Sequence, residues 1–217
     1  MRLLNKIHGF LQSIGCSEEE IDTYDSSSVY IAEEIALYAH RNQKRLNGEM
    51  YFRHPHRVLQ RYRNFVGITE HDYFCVDVDL LAECNLPYNG VQEVCLLHDV
   101  LEDTTIAVEE IEEIFDYFSL DEFFKNSVKQ PLLLVTHRPE DNYSDYIRKL
   151  LRNPVASMVK FMDMADNMDP STLNVFGNKE LERIQKYAAY AQLINSQWHF
   201  LENVIRYFQL YRKDLNH

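Results

Sequence analysis

The chain has 217 residues, 46% of them apolar and 26% charged, with only 6 Gly and 6 Pro. That amount of apolar material supports one ordinary domain or two small ones, and the composition excludes collagen-like, linker-rich and low-complexity chains. The 34 acids outnumber 22 bases, for a formal net charge of -12, which argues against nonspecific binding to nucleic acid or anionic lipid. No apolar run approaches the roughly 18 residues of a membrane span. The opening MRLLNKIHGFLQSIG is too broken by polar residues for a signal peptide, so a cytoplasmic location is expected. Cys16, Cys75, Cys84 and Cys95 have no CxxC spacing and read as reduced thiols.

Apolar residues recur at i, i+3 and i+4, which predicts helices almost throughout. The first covers Arg2 to about Ser13, with Gly15 as its stop. Ser17 and Glu20 make a capping box for a short second helix. Serines 26–28 open a longer one to about Leu46, with Gly48 just past its end. Pro55 sits in the first turn of a helix that runs to about Phe65, before Gly67. Thr69 can cap the next, to about Asn85, where Leu86-Pro87 breaks it. Gly90 precedes a helix through Asp103. Two more are expected from Thr105 to about Tyr117 and from Leu120 to Val135, with LLLV at 132–135 kept helical. HRPED is a loop. Helices over about 143–152 and 154–168 are split by Asn153-Pro154. A loop spans 169–178, and one or two long helices reach about Lys213. No repeat or clear linker is visible, so a single all-α domain is expected.

Charge is uneven along the chain. From Arg41 to Arg63 there are seven cations (Arg41, Lys44, Arg45, Arg53, Arg57, Arg61, Arg63) and one acid, Glu49. From Asn64 to Phe124 there are sixteen acids and no Lys or Arg. Two solvated faces would produce this contrast. So would a site where carboxylates hold a metal and nearby arginines meet an anion.

The segment VCLLHDVLEDT places His98, Asp99, Glu102 and Asp103 within about 140° of one another on a helix, opposite Leu96, Leu97, Val100 and Leu101. Clustered carboxylates repel, and a cation turns that repulsion into ligation. In PVASMVKFMDMADNMDP, Lys160, Asp163 and Asn167 share a face, although Lys160 with Asp163 also reads as a plain ion pair. In YAHRNQKRLNGEMYFRHP, His40 shares a face with Ala36, Gln43 and Lys44. A set of His, His-Asp and Asp from three helices suits a first-row divalent metal better than calcium. Lys44, Arg45 and Lys160 are then candidates to neutralise a phosphorylated substrate.

These blocks resemble the HD-domain metal-dependent phosphohydrolases, and most of all the small RelA/SpoT-type alarmone hydrolases. AHRNQKRLNGEMYFRHPHRV is similar to the family's A-H-x-x-Q-x-R-x-x-G-x-x-Y-x-x-H-P block. LLHDVLEDT is close to L-L-H-D-V-[LIV]-E-D-T, and VKFMDMADNM resembles V-K-x-x-D-x-x-x-N-M. The blocks occur in the family's order, and the resemblance covers about residues 28–190.

The resemblance implies a single HD-domain helical bundle over 1–217, with 191–217 as a C-terminal helical extension. It implies metal ligands His40, His98, Asp99 and Asp163, holding manganese, and a catalytic acidic pair, Glu102 and Asp103. Asn167 would lie near the nucleotide, while Tyr51, His54 and Pro55 would support the site. The implied reaction releases pyrophosphate from guanosine 3′,5′-bis(diphosphate). Hydrolysis of another nucleotide phosphoester, or a non-catalytic nucleotide sensor, are the alternatives. The expected partner is a phosphorylated nucleotide, without nucleic acid or membrane. Trp198, Phe200, Tyr207, Phe208 and Tyr211 read as core, with a homodimer surface as the other reading.

Three departures from the family pattern stand out. His40 and His98 are 58 positions apart, more than the family's spacing, which places a surplus near residues 61–77. The third block commonly reads K-L-A-D-R-L-H-N, and Met164 and Asp166 replace its basic residue and its histidine. The family's V-T-K is Val135-Thr136-His137.

Overall fold

A computed structural model describes residues 2–24, 27–45, 47–68, 76–172 and 177–214. Helices form where the 3.6-residue spacing predicts them. The first is α1 (Arg2–Ser13), whose Leu3, Leu4, Ile7 and Leu11 are buried on one face. The second is α2 (Glu18–Tyr24). Its reciprocal cap is present, with Glu20 Oε2 accepting from the Ser17 amide at 2.8 Å and Ser17 Oγ accepting from the Glu20 amide at 3.2 Å.

The third helix, α3 (Ser28–Ala39), ends at His40, short of the expected Leu46. The chain folds back instead of continuing. The Arg45 amide donates to the Glu49 carbonyl at 2.8 Å and the Tyr51 amide to the Gln43 carbonyl at 3.0 Å. Lys44 and Met50 form an isolated antiparallel bridge across this turn, and Gly48 supplies its positive φ of 82°. This turn delivers Tyr51 and His54 to the interior.

Helix α4 (Arg53–Val66) carries Pro55 in its first turn and stops at Gly67, φ 80°. Part of the surplus expected at 61–77 is therefore simply the end of α4. Residues 69–75, including the expected cap Thr69, lie outside the described residues. Helix α5 (Val78–Glu83) begins instead at Asp77, whose carboxylate accepts from the Leu80 amide at 2.8 Å.

Every residue of α6 (Val91–Leu97) is buried. Its two polar members are satisfied: Gln92 accepts from Arg63 Nε at 2.9 Å, and Glu93 from the Ser28 hydroxyl at 2.6 Å. The expected continuous helix from Gly90 to Asp103 is interrupted. Asp99 has φ -95° and ψ -7°, and helical turns resume only in α7 (Val100–Asp103). The partial unwinding brings the Asp99 carboxylate beside the His98 ring.

Next come α8 (Val108–Tyr117) and α9 (Asp121–Phe123), then a π turn over Phe124–Val128 and α10 (Lys129–Val135). Pro131 has no amide to give the Ser127 carbonyl, four residues back, and the widened turn accommodates that loss. Asn153-Pro154 separates α11 (Tyr143–Leu150) from α12 (Pro154–Asn167), and Asn153 caps α12 by accepting from the Ala156 amide at 2.9 Å. The last two helices are α13 (Asn178–Trp198) and α14 (Phe200–Asp214), which meet at His199, φ 54°.

Helices α4, α6 and α12 pack on one another, with α3 covering α6 and α13 covering α12. The fold is all-α, and no strand forms among the described residues beyond the isolated bridge. Phe200 and Tyr207 are buried core. Trp198 is half-buried, and its indole donates to the Ser157 hydroxyl at 3.0 Å. No helix among the described residues is long and apolar enough to cross a membrane.

Candidate metal centre

Two helical stripes face each other across the α4–α12 contact. On α4, His54, Arg57 and Arg61 recur at i, i+3 and i+7 and so share a face. On α12, Asp163 and Asp166 share a face, and Asp169 follows just past the helix end. Between the ends of these stripes lies the unwound His98-Asp99 corner of α6–α7.

The donors that converge are His54, His98 and Asp163, each offering one ligand atom within 4.8 Å of the others. His54 Nε2 is 3.1 Å from Asp163 Oδ1 and 3.5 Å from Asp99 Oδ2. His98 Nε2 is 3.2 Å from Asp99 Oδ2 and 3.8 Å from Asp163 Oδ1. Both imidazoles are anchored through their other nitrogen. His98 Nδ1 meets the Cys95 carbonyl at 2.8 Å, and His54 Nδ1 meets Asp166 Oδ2 at 2.8 Å. An N–H at each Nδ1 leaves each Nε2 facing the carboxylates, the position where the ring holds either a proton or a cation.

That arrangement fits a divalent cation. His98 Nε2 is buried without a hydrogen-bond partner, a costly condition that a ligated ion removes. Two imidazole nitrogens and two carboxylate oxygens form a mixed donor set suited to a first-row divalent metal. Electrostatics point the same way. Burial works against charge on His54, but Asp163, Asp166 and Asp99 hold its pKa up at about 9. His98 is likewise raised, its burial outweighed by Asp99 and Asp163. Despite burial, Asp163 stays well below the usual carboxylate range, held there by Lys160, His54 and His98.

The sequence-derived ligand set is only partly assembled. His98, Asp99 and Asp163 come together, but His54 rather than His40 completes the cluster. His40 is the residue after α3, fully buried and stacked on Tyr51 with centroids 4.8 Å apart. Its Nε2 is buried and unpartnered, yet it is not among the donors within 4.8 Å of one another. The Tyr51 hydroxyl makes the contact to Asp99 Oδ2, at 2.9 Å. The early end of α3 accounts for the exchange, because the returning turn brings Tyr51 and His54 inward past His40. The dipeptide His54-Pro55 at a helix start was the available signal.

The remaining expected residues sit around this cluster. Glu102 and Asp103 are exposed on α7. Glu102 accepts from the His137 amide at 2.9 Å. Partial enclosure of its carboxylate, with Asp99 and Asp103 nearby, raises its pKa against the opposing pull of His137 and Lys160. Lys160 Nζ is 2.8 Å from Asp163 Oδ2. Asn167 donates to Asp163 Oδ1 and accepts from Arg45 Nη2 at 3.0 Å. Lys44 is exposed on the turn opposite Met50.

Three features were not read from the sequence. Asp166, with no exposure, is bonded to His54, Arg57 and Arg61. The Tyr143 phenol is pushed up to about 12, mainly by burial. Tyr187 and Arg183 lie one turn apart on α13, and Tyr187 feels Asp163, Lys160, Arg183 and Asp99 electrostatically. Neither residue of this last pair lies within the three motif blocks, so no motif marked it.

A solved structure described as a metazoan ortholog of SpoT that hydrolyzes ppGpp superposes on this fold with a TM-score of 0.51, covering 85% of this chain and 95% of that one at 18% identity. The Aquifex aeolicus guanosine-3′,5′-bis(diphosphate) 3′-pyrophosphohydrolase is 28% identical over 155 residues, 71% of this chain. The chain is therefore similar, in sequence and in fold, to hydrolases of the RelA/SpoT type. The Escherichia coli K12 bifunctional (p)ppGpp synthase/hydrolase SpoT is also 28% identical, over 137 residues or 62% of the chain. The chain spans about a fifth of the length of these curated relatives, 19% and 16%. No protein-family model matches it.

Proposed function

We propose that this chain is a manganese-dependent pyrophosphohydrolase acting on guanosine 3′,5′-bis(diphosphate). The observation that carries the reading is the buried convergence of His54, His98 and Asp163 beside Asp99, with Glu102 and Asp103 exposed at its rim. His54, His98, Asp99 and Asp163 would hold the ion. When bound, a divalent ion supplies Lewis-acid polarisation of a phosphoryl oxygen and a lowered pKa for water.

The chain's own groups do the rest. Glu102, with its raised pKa and its tether to the His137 amide, takes the proton of the attacking water. Asp103 stands beside it. Lys160 keeps its charge in spite of burial, chiefly because of Asp163, with lesser electrostatic help from Tyr146 and Tyr143, and it neutralises charge on the departing diphosphate. Arg45, tied to Asn167, presents a second cation to the nucleotide. The names of the relatives above, both guanosine 3′,5′-bis(diphosphate) enzymes, support the substrate assignment.

Incubation with Mn²⁺ and a nucleotide panel, with product masses read by mass spectrometry, tests this. GDP and pyrophosphate from the bis(diphosphate) are expected. Release of single phosphates from other nucleotides alone would redirect the substrate assignment.

A further inference from the structure

The third motif block departs from its family at Asp166, and the structure shows what that carboxylate touches. Asp166 is fully buried, on the turn of α12 that follows Asp163. Its Oδ2 takes the His54 Nδ1 contact at 2.8 Å. Its Oδ1 accepts from Arg57 Nε at 3.0 Å and from Arg61 Nε at 3.1 Å. Arg45 Nη1 lies 3.6 Å from Oδ2. The arginines are themselves fixed at their far ends: Arg57 donates to Glu49 at 2.8 Å and Arg61 to Asp169 at 2.6 Å.

A lone buried carboxylate would protonate or be expelled to solvent. With these guanidiniums arranged around it, it stays ionised and cannot rotate away. An ionised carboxylate only accepts hydrogen bonds, so the His54 nitrogen that faces it must carry the hydrogen. The other nitrogen is then the one that faces Asp163 and Asp99, where a bound cation would take the place of its proton.

We propose that Asp166 is a positioning residue, held by Arg57 and Arg61, that sets the His54 tautomer and ring orientation so that Nε2 can ligate the metal. This rests on the metal reading above. It also links the two helical stripes: the charges that join α4 to α12 are those that prepare the ligand. Carboxylates behind metal-bound histidines act in this way in general, and their loss costs about 10–100-fold in metal affinity.

The test uses the full chain, with Mn²⁺ affinity measured by calorimetry or chelator competition, and with ¹⁵N-histidine spectra of the Zn²⁺-loaded protein. Asp166→Asn keeps the shape but removes the fixed acceptor. If its oxygen stays with the arginines, its amide faces His54 and forces the opposite tautomer. Affinity is expected to fall about 10–100-fold while the helical circular dichroism of the metal-free protein is retained. In wild type, the His54 ring is expected to bind Zn²⁺ through Nε2 with the hydrogen on Nδ1. Unchanged affinity in a folded Asp166→Asn protein overturns the proposal. Should that variant fail to fold, the wild-type spectrum decides: a hydrogen on Nε2 overturns the proposal, and one on Nδ1 supports it. A wild type that binds neither ion overturns the metal reading itself, a result distinct from equal binding by the two proteins.

Discussion

The His40 ring stacks on the Tyr51 ring, 4.8 Å between centroids, and the Tyr51 hydroxyl rather than His40 reaches Asp99. His40 is pushed toward its neutral form chiefly by burial, against the pull of Gln43 and Asp99. It packs against Tyr51, whereas His54 faces the other donors.

Two histidine variants separate these roles. His54→Ala is expected to weaken Mn²⁺ binding by more than the roughly 100-fold that loss of a supporting residue costs, and His40→Ala by about tenfold or less. Mn²⁺ titrations of both proteins check this. The reverse order would restore His40 to the ligand set.

Glu102→Gln is expected to retain the metal and lose turnover by about 10²–10⁴-fold, because the carboxylate acts on water and not on the ion. Equal metal content with collapsed single-turnover rates is the expected pairing. A variant that loses its metal would place Glu102 among the ligands.

Gly90 precedes α6 at φ 78°, and a Cβ there would sit 2.2 Å from the Ser127 carbonyl oxygen. Both the left-handed backbone and the fixed carbonyl oppose a side chain. Gly90→Ala is expected to cost at least about 3 kcal/mol of stability, at the upper end for single substitutions. Urea unfolding with an unchanged slope measures it.

Glu93, on the buried helix α6, has its pKa raised by burial, with the Ser28 hydroxyl and Arg63 pulling the other way. A carboxyl whose folded pKa exceeds its unfolded value stabilises most below the unfolded value. Its contribution is lost as pH rises through the folded one. Glu93→Gln, which keeps an acceptor for Ser28, is expected to flatten the fall in melting temperature from about pH 4.5 upward. Parallel pH profiles for variant and wild type would assign that slope to other groups.

Helix positions were legible because one apolar stripe per helix is a local signal, and Asn153-Pro154 and Gly67 marked their breaks directly. The end of α3 was not legible. Residues 40–46 have helical spacing, and it took the Gln43–Tyr51 and Arg45–Glu49 backbone bonds, together with Gly48, to turn the chain back. The site followed the same division. His98, Asp99 and Asp163 lie in compact motifs, so their grouping could be read along the chain. The choice between His40 and His54 depended on where that turn pointed. Asp166 looked like a lost histidine until the arginines of α4, more than a hundred positions earlier, were seen around it.

The most direct test is an anomalous difference map from crystals grown with Mn²⁺. The peak is expected among His54 Nε2, His98 Nε2, Asp99 and Asp163, with His40 outside its coordination sphere. A peak coordinated by His40 without His54, or no peak at this cluster in protein that hydrolyses the nucleotide, would contradict the account.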